Sequence, residues 1–316
     1  MNKKIYIVDA SRTAVGSLGK SLKDSSAVEL GSSVINNSIK RCKIKSSEVD
    51  EVIMGQVLTG ASGQNPARQA SINAGLPKEI PAYIVNQVCG SGLRSVASGF
   101  QSILVGDSNI VIAGGQENMS LAPHAVFMRN GRKLGDAKLV DTMIKDGLWD
   151  AFNEYHMGIT AENVAEKFQI TRTEQDKFAL ASQEKALKAQ KEKKFEDEIV
   201  NFKIKSKKNQ LDFYQDEHPR EGIDLTTLSR LKPVFKNNGT VTAGNSSGIN
   251  DGAAVVTLMS GSEVENRQIK KLAKIKSWAS CGVDPSLMGT GPIPSTKKAL
   301  KLAGWNIKDI DLFEIN

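Results

Sequence analysis

Short apolar runs and amphipathic stretches alternate through the first 115 residues, and that alternation is what most restricts the fold. Residues 5–8 predict a strand, 27–41 a helix and 49–54 a strand. Residues 66–74 follow as a short helix, 82–85 as a strand, 93–104 as a helix, and 110–113 as a strand ending at Gly114 and Gly115. Strands alternating with helices imply an α/β layer with a largely parallel sheet. In such sheets chemistry gathers at strand ends and in the loops after them.

One of those loops stands apart. The stretch Tyr83-Ile-Val-Asn-Gln-Val-Cys89-Gly-Ser-Gly-Leu-Arg-Ser-Val-Ala-Ser98 sets a cysteine between a buried-strand run and a helix. Gly90, Ser91 and Gly92 predict a turn, with Ser91 as the helix N-cap and Gly106 closing the helix. A sulfur at a helix entrance faces the positive end of the dipole and the unpaired N–H groups of the first turn. Those groups favour the thiolate, which is the nucleophile. An ordinary thiol is only about 3% ionised at neutral pH, whereas a pKa lowered to about 7 ionises roughly half. The competing reading is a small buried hydrophobe, the usual fate of a free cysteine. Local sequence leaves both open.

Beyond residue 118 the texture changes. Residues 123–147 are rich in Gly, Arg and Lys without clear periodicity. Helices are expected over 160–168 and from about Thr173, where Thr-Glu-Gln-Asp176 approximates a capping box, to about Lys193. A polar hairpin-like stretch and the glycine-rich run 239–252 follow, and then a buried strand over 253–259. These features divide the chain into an N-terminal α/β half (1–118), an inserted loop domain (119–248) covering one end of the sheet, and a last strand and linker (249–268). The remainder (269–316) echoes the beginning. The helix, Lys43-Ile-Lys-Ser-Ser-Glu-Val-Asp50 and the strand after it recur as a helix, Asn306-Ile-Lys-Asp-Ile-Asp311 and the run Leu-Phe-Glu-Ile. A duplicated α/β unit explains this, and its second copy is expected to be incomplete at Asn316.

Three cysteines (Cys42, Cys89 and Cys281) without a C-x-x-C pair argue against a disulfide framework or a zinc site, and for a reducing cytoplasm. No apolar run reaches the roughly 18 residues of a membrane span, and the N-terminus reads as a strand, not a leader. The formal net charge of +7 raises a nucleic-acid hypothesis. Its main source, the lysine-rich run 185–208 that includes Lys207 and Lys208, has few aromatics to stack bases and reads as a solvated face. An anionic small substrate suits the charge equally.

Six motifs in order carry a resemblance. They are Asp9-Ala-Ser-Arg-Thr-Ala-Val-Gly16, Gln64-Asn-Pro-Ala-Arg-Gln69, Asn86-Gln-Val-Cys-Gly-Ser-Gly-Leu93, Ala113-Gly-Gly-Gln-Glu-Asn-Met-Ser120, Met157-Gly-Ile-Thr-Ala-Glu-Asn163 and Val241-Thr-Ala-Gly-Asn-Ser-Ser-Gly-Ile-Asn-Asp-Gly252. With them the whole chain resembles the thiolase family, in particular its acetyl-CoA acetyltransferases. The resemblance implies duplicated α/β halves packed in five layers (α-β-α-β-α), the second half incomplete here. It implies an acyltransferase of fatty acid metabolism that joins two acetyl-CoA into acetoacetyl-CoA and CoA, or cleaves 3-ketoacyl-CoA in reverse. Cys89 would be the acyl-accepting nucleophile, with its backbone N–H at one oxyanion. Asn316 would hold a water that donates to the other. His156 and Met157 would line the pantetheine slot, with Leu148, Phe235, Ala243 and Met288 packing the carrier and Ser247 hydrogen-bonding it. Arg220 would face the nucleotide phosphates. No cofactor or metal is implied, because the coenzyme A thioesters are substrates. A homotetramer or homodimer is implied, with subunit contacts expected in residues 123–147.

Two family elements have no counterpart in these residues. One is a histidine in a Gly-His-Pro motif that activates the nucleophile; the other is a second cysteine in a Cys-x-Gly-Gly loop that moves the substrate proton. General acid–base groups normally contribute about 10²–10⁴ to rate. The alternative expectation is therefore a truncated, catalytically inactive fragment, at most a CoA-binding or assembly partner.

Overall fold

The computed structural model describes residues 3–205 and 210–316, residue 205 by its backbone only. Lys207 and Lys208 of the lysine-rich run lie outside the described residues. The chain divides into two compact units. The first comprises Met1–Gly147, Ala189–Pro219 and Gly248–Lys274; the second comprises Leu148–Lys188, Arg220–Ser247 and Ile275–Asn316.

The first unit is built on a mixed sheet. In chain order it contains β1 (Ile5–Thr13), α1 (Ala27–Cys42), β2 (Glu51–Gly55), α2 (Pro66–Asn73), β3 (Ala82–Val85), α3 (Ser91–Val105), β4 (Ile110–Asn118) and β5 (Asn250–Ser260). The strand order is Ile199–Val200, β1, β5, β4, β2, β3, with Ala273–Lys274 also on β1 and Gly16–Ser17 on β5. β4, β2 and β3 are mutually parallel, as the alternation predicts. β5 is antiparallel to both β1 and β4 and lies between them, so the sheet is less parallel than expected. The reason is the route of the chain. β5 returns from a long excursion and is free of the helical crossover that obliges parallel neighbours.

Helices cover both faces. α1 carries Leu30, Val34, Ile35 and Ile39 at helical spacing, and they join Ile110 and Ile112 of β4 in one core. On the opposite face of β4 lies Val111, against which α3 packs so closely that a Cβ on Gly99 would come within 2.9 Å of Val111 and Leu258. A capping box starts α1: the Ser26 N–H donates to the Glu29 carboxylate (2.9 Å), and the Glu29 N–H donates to the Ser26 hydroxyl (3.2 Å). Cys42 ends the buried stripe of α1, and burial pushes its thiol up to about 11, with the Asp9 charge adding to the effect. It is a core residue.

The second unit holds α4 (Gly158–Phe168), α5 (Arg172–Lys191) as far as residue 188, and α6 (Pro292–Ala303). The capping box of α5 sits earlier than expected. The Thr171 N–H and hydroxyl both donate to the Glu174 carboxylate, each at 2.7 Å. Asp176 is instead buried, accepting from Arg172 Nε (2.8 Å) and Asn245 Nδ2 (2.9 Å). The internal echo is also visible in backbone form. α1 ends at left-handed Lys43 and α6 at left-handed Gly304, and each is followed by one 3₁₀ turn, Ser46–Glu48 and Ile307–Asp309. The Lys45 N–H donates to Glu48 (2.7 Å) and the Asn306 N–H to Asp309 (2.8 Å) in the same way. After these turns the likeness stops. β2 pairs with two neighbours, whereas residues 312–315 form no ladder among the described residues and so are not the strand expected.

Candidate active site

Cys89 lies between the end of β3 and the start of α3, and it is exposed. The helix begins at Ser91 with Gly90 as its N-cap, so Ser91 is the first helical residue and not the cap expected. Two overlapping turns carry the cysteine. The Gly90 N–H donates to the Gln87 carbonyl (3.1 Å) and the Ser91 N–H to the Val88 carbonyl (3.0 Å). The Ser91 hydroxyl also donates to the Val88 carbonyl (2.5 Å) and accepts from the Gln87 N–H (2.8 Å). On the other side, the Val88 N–H donates to Asn86 Oδ1 (2.9 Å). Val88 itself is left-handed, at φ 49°.

Glycines at the last parallel pair of β2 and β4 make this placement possible. A Cβ on Gly55, the last residue of β2, would lie 2.4 Å from the Ser91 carbonyl carbon and 2.6 Å from the Gly92 nitrogen. One on Gly115 of β4, the partner of Gly55, would lie 3.5 Å from the Gly92 Cα. The entrance of α3 therefore rests directly on the sheet, with Cys89 above the strand ends.

Several other motif residues act as polar pegs. Glu117 accepts from the Val57 N–H (2.7 Å) and the Leu58 N–H (3.3 Å), fixing the loop after β2, while burial pushes its carboxyl above the usual range. Asn118 Nδ2 donates to the carbonyls of Leu22 (2.8 Å) and Ser25 (2.6 Å). Asp251, fully buried, accepts from the Ser120 N–H (3.0 Å) and hydroxyl (2.6 Å). Asn65 starts α2, and its Nδ2 donates to the Ala82 carbonyl at the start of β3 (2.8 Å). Arg12 pairs with Glu198 (2.6 Å) and Asp216 (2.8 Å), tying residues distant in sequence to β1. These groups hold loops in place, which sequence alone did not separate from substrate contact.

In the second unit four of the expected carrier residues come together. A short antiparallel pair, Trp149–Asp150 with Tyr155–His156, brings the Met157 N–H to the Leu148 carbonyl (2.8 Å). The His156 ring stacks on Phe235, centroids 4.7 Å apart and planes 20° apart. The Gly158 N–H donates to His156 Nδ1 (3.0 Å), which leaves Nε2 to carry the proton of the neutral ring. Burial pushes the His156 pKa below its ordinary value, favouring that neutral form. Phe235 leaves no room for a side chain at Gly158, where a Cβ would lie 2.2 Å from Phe235 Cδ2.

The remaining candidates lie on other segments of the chain. Ala243 is exposed on a turn that Asn245 holds, its Oδ1 accepting from the Thr242 N–H (2.7 Å) and its Nδ2 donating to the Thr240 carbonyl (3.0 Å). Ser247 is exposed just beyond. Met288 lies on the 3₁₀ segment Pro285–Thr290, anchored to α4 by Asn163 Nδ2 donating to the Ser286 carbonyl (3.0 Å). Arg220 is exposed, its backbone N–H donating to Gln183 Oε1 (2.9 Å). Asn316 is exposed and outside any regular element. Among the described residues no group of three or more His, Cys, Asp or Glu side chains is placed to hold a metal ion.

The chain matches known families over nearly its whole length. Residues 5–262 match the family described as thiolase, N-terminal domain, and residues 269–316 that described as thiolase, C-terminal domain. The chain belongs to the thiolase family. This thiolase is 55% identical over 315 residues to an acetyl-CoA acetyltransferase of Rhizobium meliloti (strain 1021), covering 100% of its own length and 80% of the relative's. It is 50% identical over 314 residues to the cytosolic acetyl-CoA acetyltransferase of Rattus norvegicus, covering 99% of this chain and 79% of that one. A crystal structure of the Bacillus anthracis acetyl-CoA acetyltransferase superposes with a TM-score of 0.96 at 40% identity, over 98% of this thiolase and 79% of that chain. The expected α/β thiolase fold is thereby established.

Proposed function

We propose that this thiolase is an acetyl-CoA C-acetyltransferase that works through an acyl-cysteine at Cys89. The observation that carries this reading is an exposed cysteine one residue before the N-cap of a 15-residue helix, in a chain with acetyltransferase relatives at 50–56% identity along its length. The Cys89 thiolate attacks the thioester carbonyl of one acyl-CoA. A sulfur–carbon bond forms to Cys89, the bond to the coenzyme's sulfur breaks, and CoA leaves as the thiol after taking up a proton. The carbanion of a second acetyl-CoA then attacks the acyl-enzyme, releasing acetoacetyl-CoA and restoring the thiolate. The reverse sequence cleaves a 3-ketoacyl-CoA. Charge develops on each thioester oxygen, which calls for fixed donors. The Cys89 N–H is assigned to one oxygen and a water held by Asn316 to the other.

His156, Met157, Leu148 and Phe235 form an apolar and aromatic surface suited to the pantetheine arm, and Ala243, Met288 and Ser247 extend it. Arg220 supplies a forked cation for the nucleotide phosphates. No cofactor takes part, and the oligomer is a homodimer or homotetramer acting in the cytoplasm. Among the described residues no helix is long and apolar enough to cross a membrane. The inactive-fragment alternative is not favoured, because the acetyltransferase relatives align along all six motifs and beyond. The 316 residues contain neither a Gly-His-Pro nor a Cys-x-Gly-Gly motif, so the proton-abstraction step is assigned to no residue here.

Incubation with acetyl-CoA followed by peptide mass analysis tests the reading. Acetyl transfer to the Cys89 peptide, lost in Cys89→Ala, is expected. An unlabelled Cys89 beside a labelled control thiolase would overturn it.

A further inference from the structure

We propose that Ser91 is a positioning residue for Cys89, acting by clamping Val88 in a left-handed backbone conformation; this rests on Cys89 being the nucleophile. A β-branched residue at positive φ is an outlier, because its Cβ crowds the following carbonyl. Such strain persists only where the surroundings over-determine it. Val88 gains little from packing, since it is 37% exposed. Its peptide groups, in contrast, are held from both ends. Asn86 Oδ1 takes its N–H (2.9 Å), and its carbonyl receives both the N–H (3.0 Å) and the hydroxyl (2.5 Å) of Ser91. The Ser91 hydroxyl simultaneously accepts from the Gln87 N–H (2.8 Å), closing the loop across the cysteine.

Ser91 can act as the fixed point because it does not move with the loop. It is 4% exposed and lies against Gly55 at the end of β2. Residues 86–90 are all exposed, so packing contributes little to their conformation and hydrogen bonds such as these carry most of it. Without the hydroxyl, Val88 is free to return to negative φ. The Val88–Cys89 peptide then turns over, carrying the Cys89 N–H and sulfur away from the entrance of α3. An ordinary N-terminal serine would cap its own helix; this one reaches backwards.

The test is the rate of Cys89 alkylation by iodoacetamide on the intact chain, read by peptide mass analysis, with buried Cys42 as internal reference. Ser91→Ala is expected to slow Cys89 alkylation by about tenfold, the equivalent of one strained backbone conformation. Val88→Gly should stay near the parent rate, because glycine adopts positive φ without a steric cost. The double variant Ser91→Ala/Val88→Gly should recover most of the loss, which a merely structural serine would not permit. Asn86→Ala runs the same test from the other end of Val88 without disturbing the packed Ser91, and should show the same rescue by Val88→Gly. Alkylation of both single variants at the parent rate, or a double variant as slow as Ser91→Ala alone, overturns the proposal. The readout uses no coenzyme A. A failure of acetyl transfer with this pattern intact would count against the proposed function and not against the clamp.

Discussion

At the scale of single residues, Glu162 shows how a motif glutamate can serve a site without touching substrate. Its carboxylate is buried and accepts from the N–H groups of Thr240 and Val241 (each 2.8 Å) and from the Thr240 hydroxyl (2.9 Å). Those bonds peg the strand of chain that leads into the Ala243 turn onto α4. Burial alone would raise its pKa, but the Val241 and Thr240 donors and the Lys236 charge outweigh it, holding the carboxyl below the usual range. A depressed folded pKa contributes stability that is complete above the unfolded value and is lost as pH falls through the folded one. Glu162→Gln keeps the shape but turns an amide donor toward backbone donors, and should cost about 2–3 kcal/mol at neutral pH. Urea unfolding should show that gap narrowing as pH falls below the usual glutamate range, where the parent's own carboxylate protonates in turn. An unchanged gap across that range would mean the charge is not what holds the loop.

At the scale of elements, the decisive contact is between α3 and the end of β2. Gly55→Ala places a methyl within 2.6 Å of two backbone atoms of α3, so helix or strand must shift. Overpacking of this kind costs about 1–3 kcal/mol. Because Cys89 rides on the same turn, its acetylation should fall by about tenfold or more even where the variant is fully folded. Gly92→Ala is the contrast, since a Cβ there meets nothing within 4 Å and should leave stability unchanged. Equal thermal midpoints and equal acetylation for both variants would refute the close-approach argument. The sequence made α1 plain, because its apolar spacing is that of one buried helix face. It made Cys89 visible for a similar reason, since a strand run, small residues and a helix lie side by side. The left-handed Val88 left no trace, because valine is the residue type least expected there. The central antiparallel β5 was equally hidden. A buried strand looks the same whichever neighbours it finds, and its neighbours here lie more than 130 residues away in the chain.

At the scale of the whole molecule, the sheet ends in an open strand. β3 is the terminal strand on its side, with Tyr83 38% exposed, and the adjoining α3 presents Leu93 at 78% and Val105 at 70%. An uncovered apolar edge of this kind invites pairing with another chain. A second copy meeting it around a two-fold axis would cover both edges at once, because such an interface uses the same patch on each subunit. The excursion before residue 147 offers a second, separate patch in Phe127 and Leu134, each 91% exposed. The proposed dimer and tetramer then have different sources and can be taken apart separately. Sedimentation velocity should show the parent at a multiple of the single-chain mass. Tyr83→Lys places a charge on the open edge and should reduce it to monomers. Phe127→Glu with Leu134→Glu should leave dimers, and should not lower the thermal midpoint of the single chain, since neither side chain is buried in it. A parent that sediments as a monomer at micromolar concentration would remove the oligomer from the proposal and leave the β3 edge as an aggregation hazard.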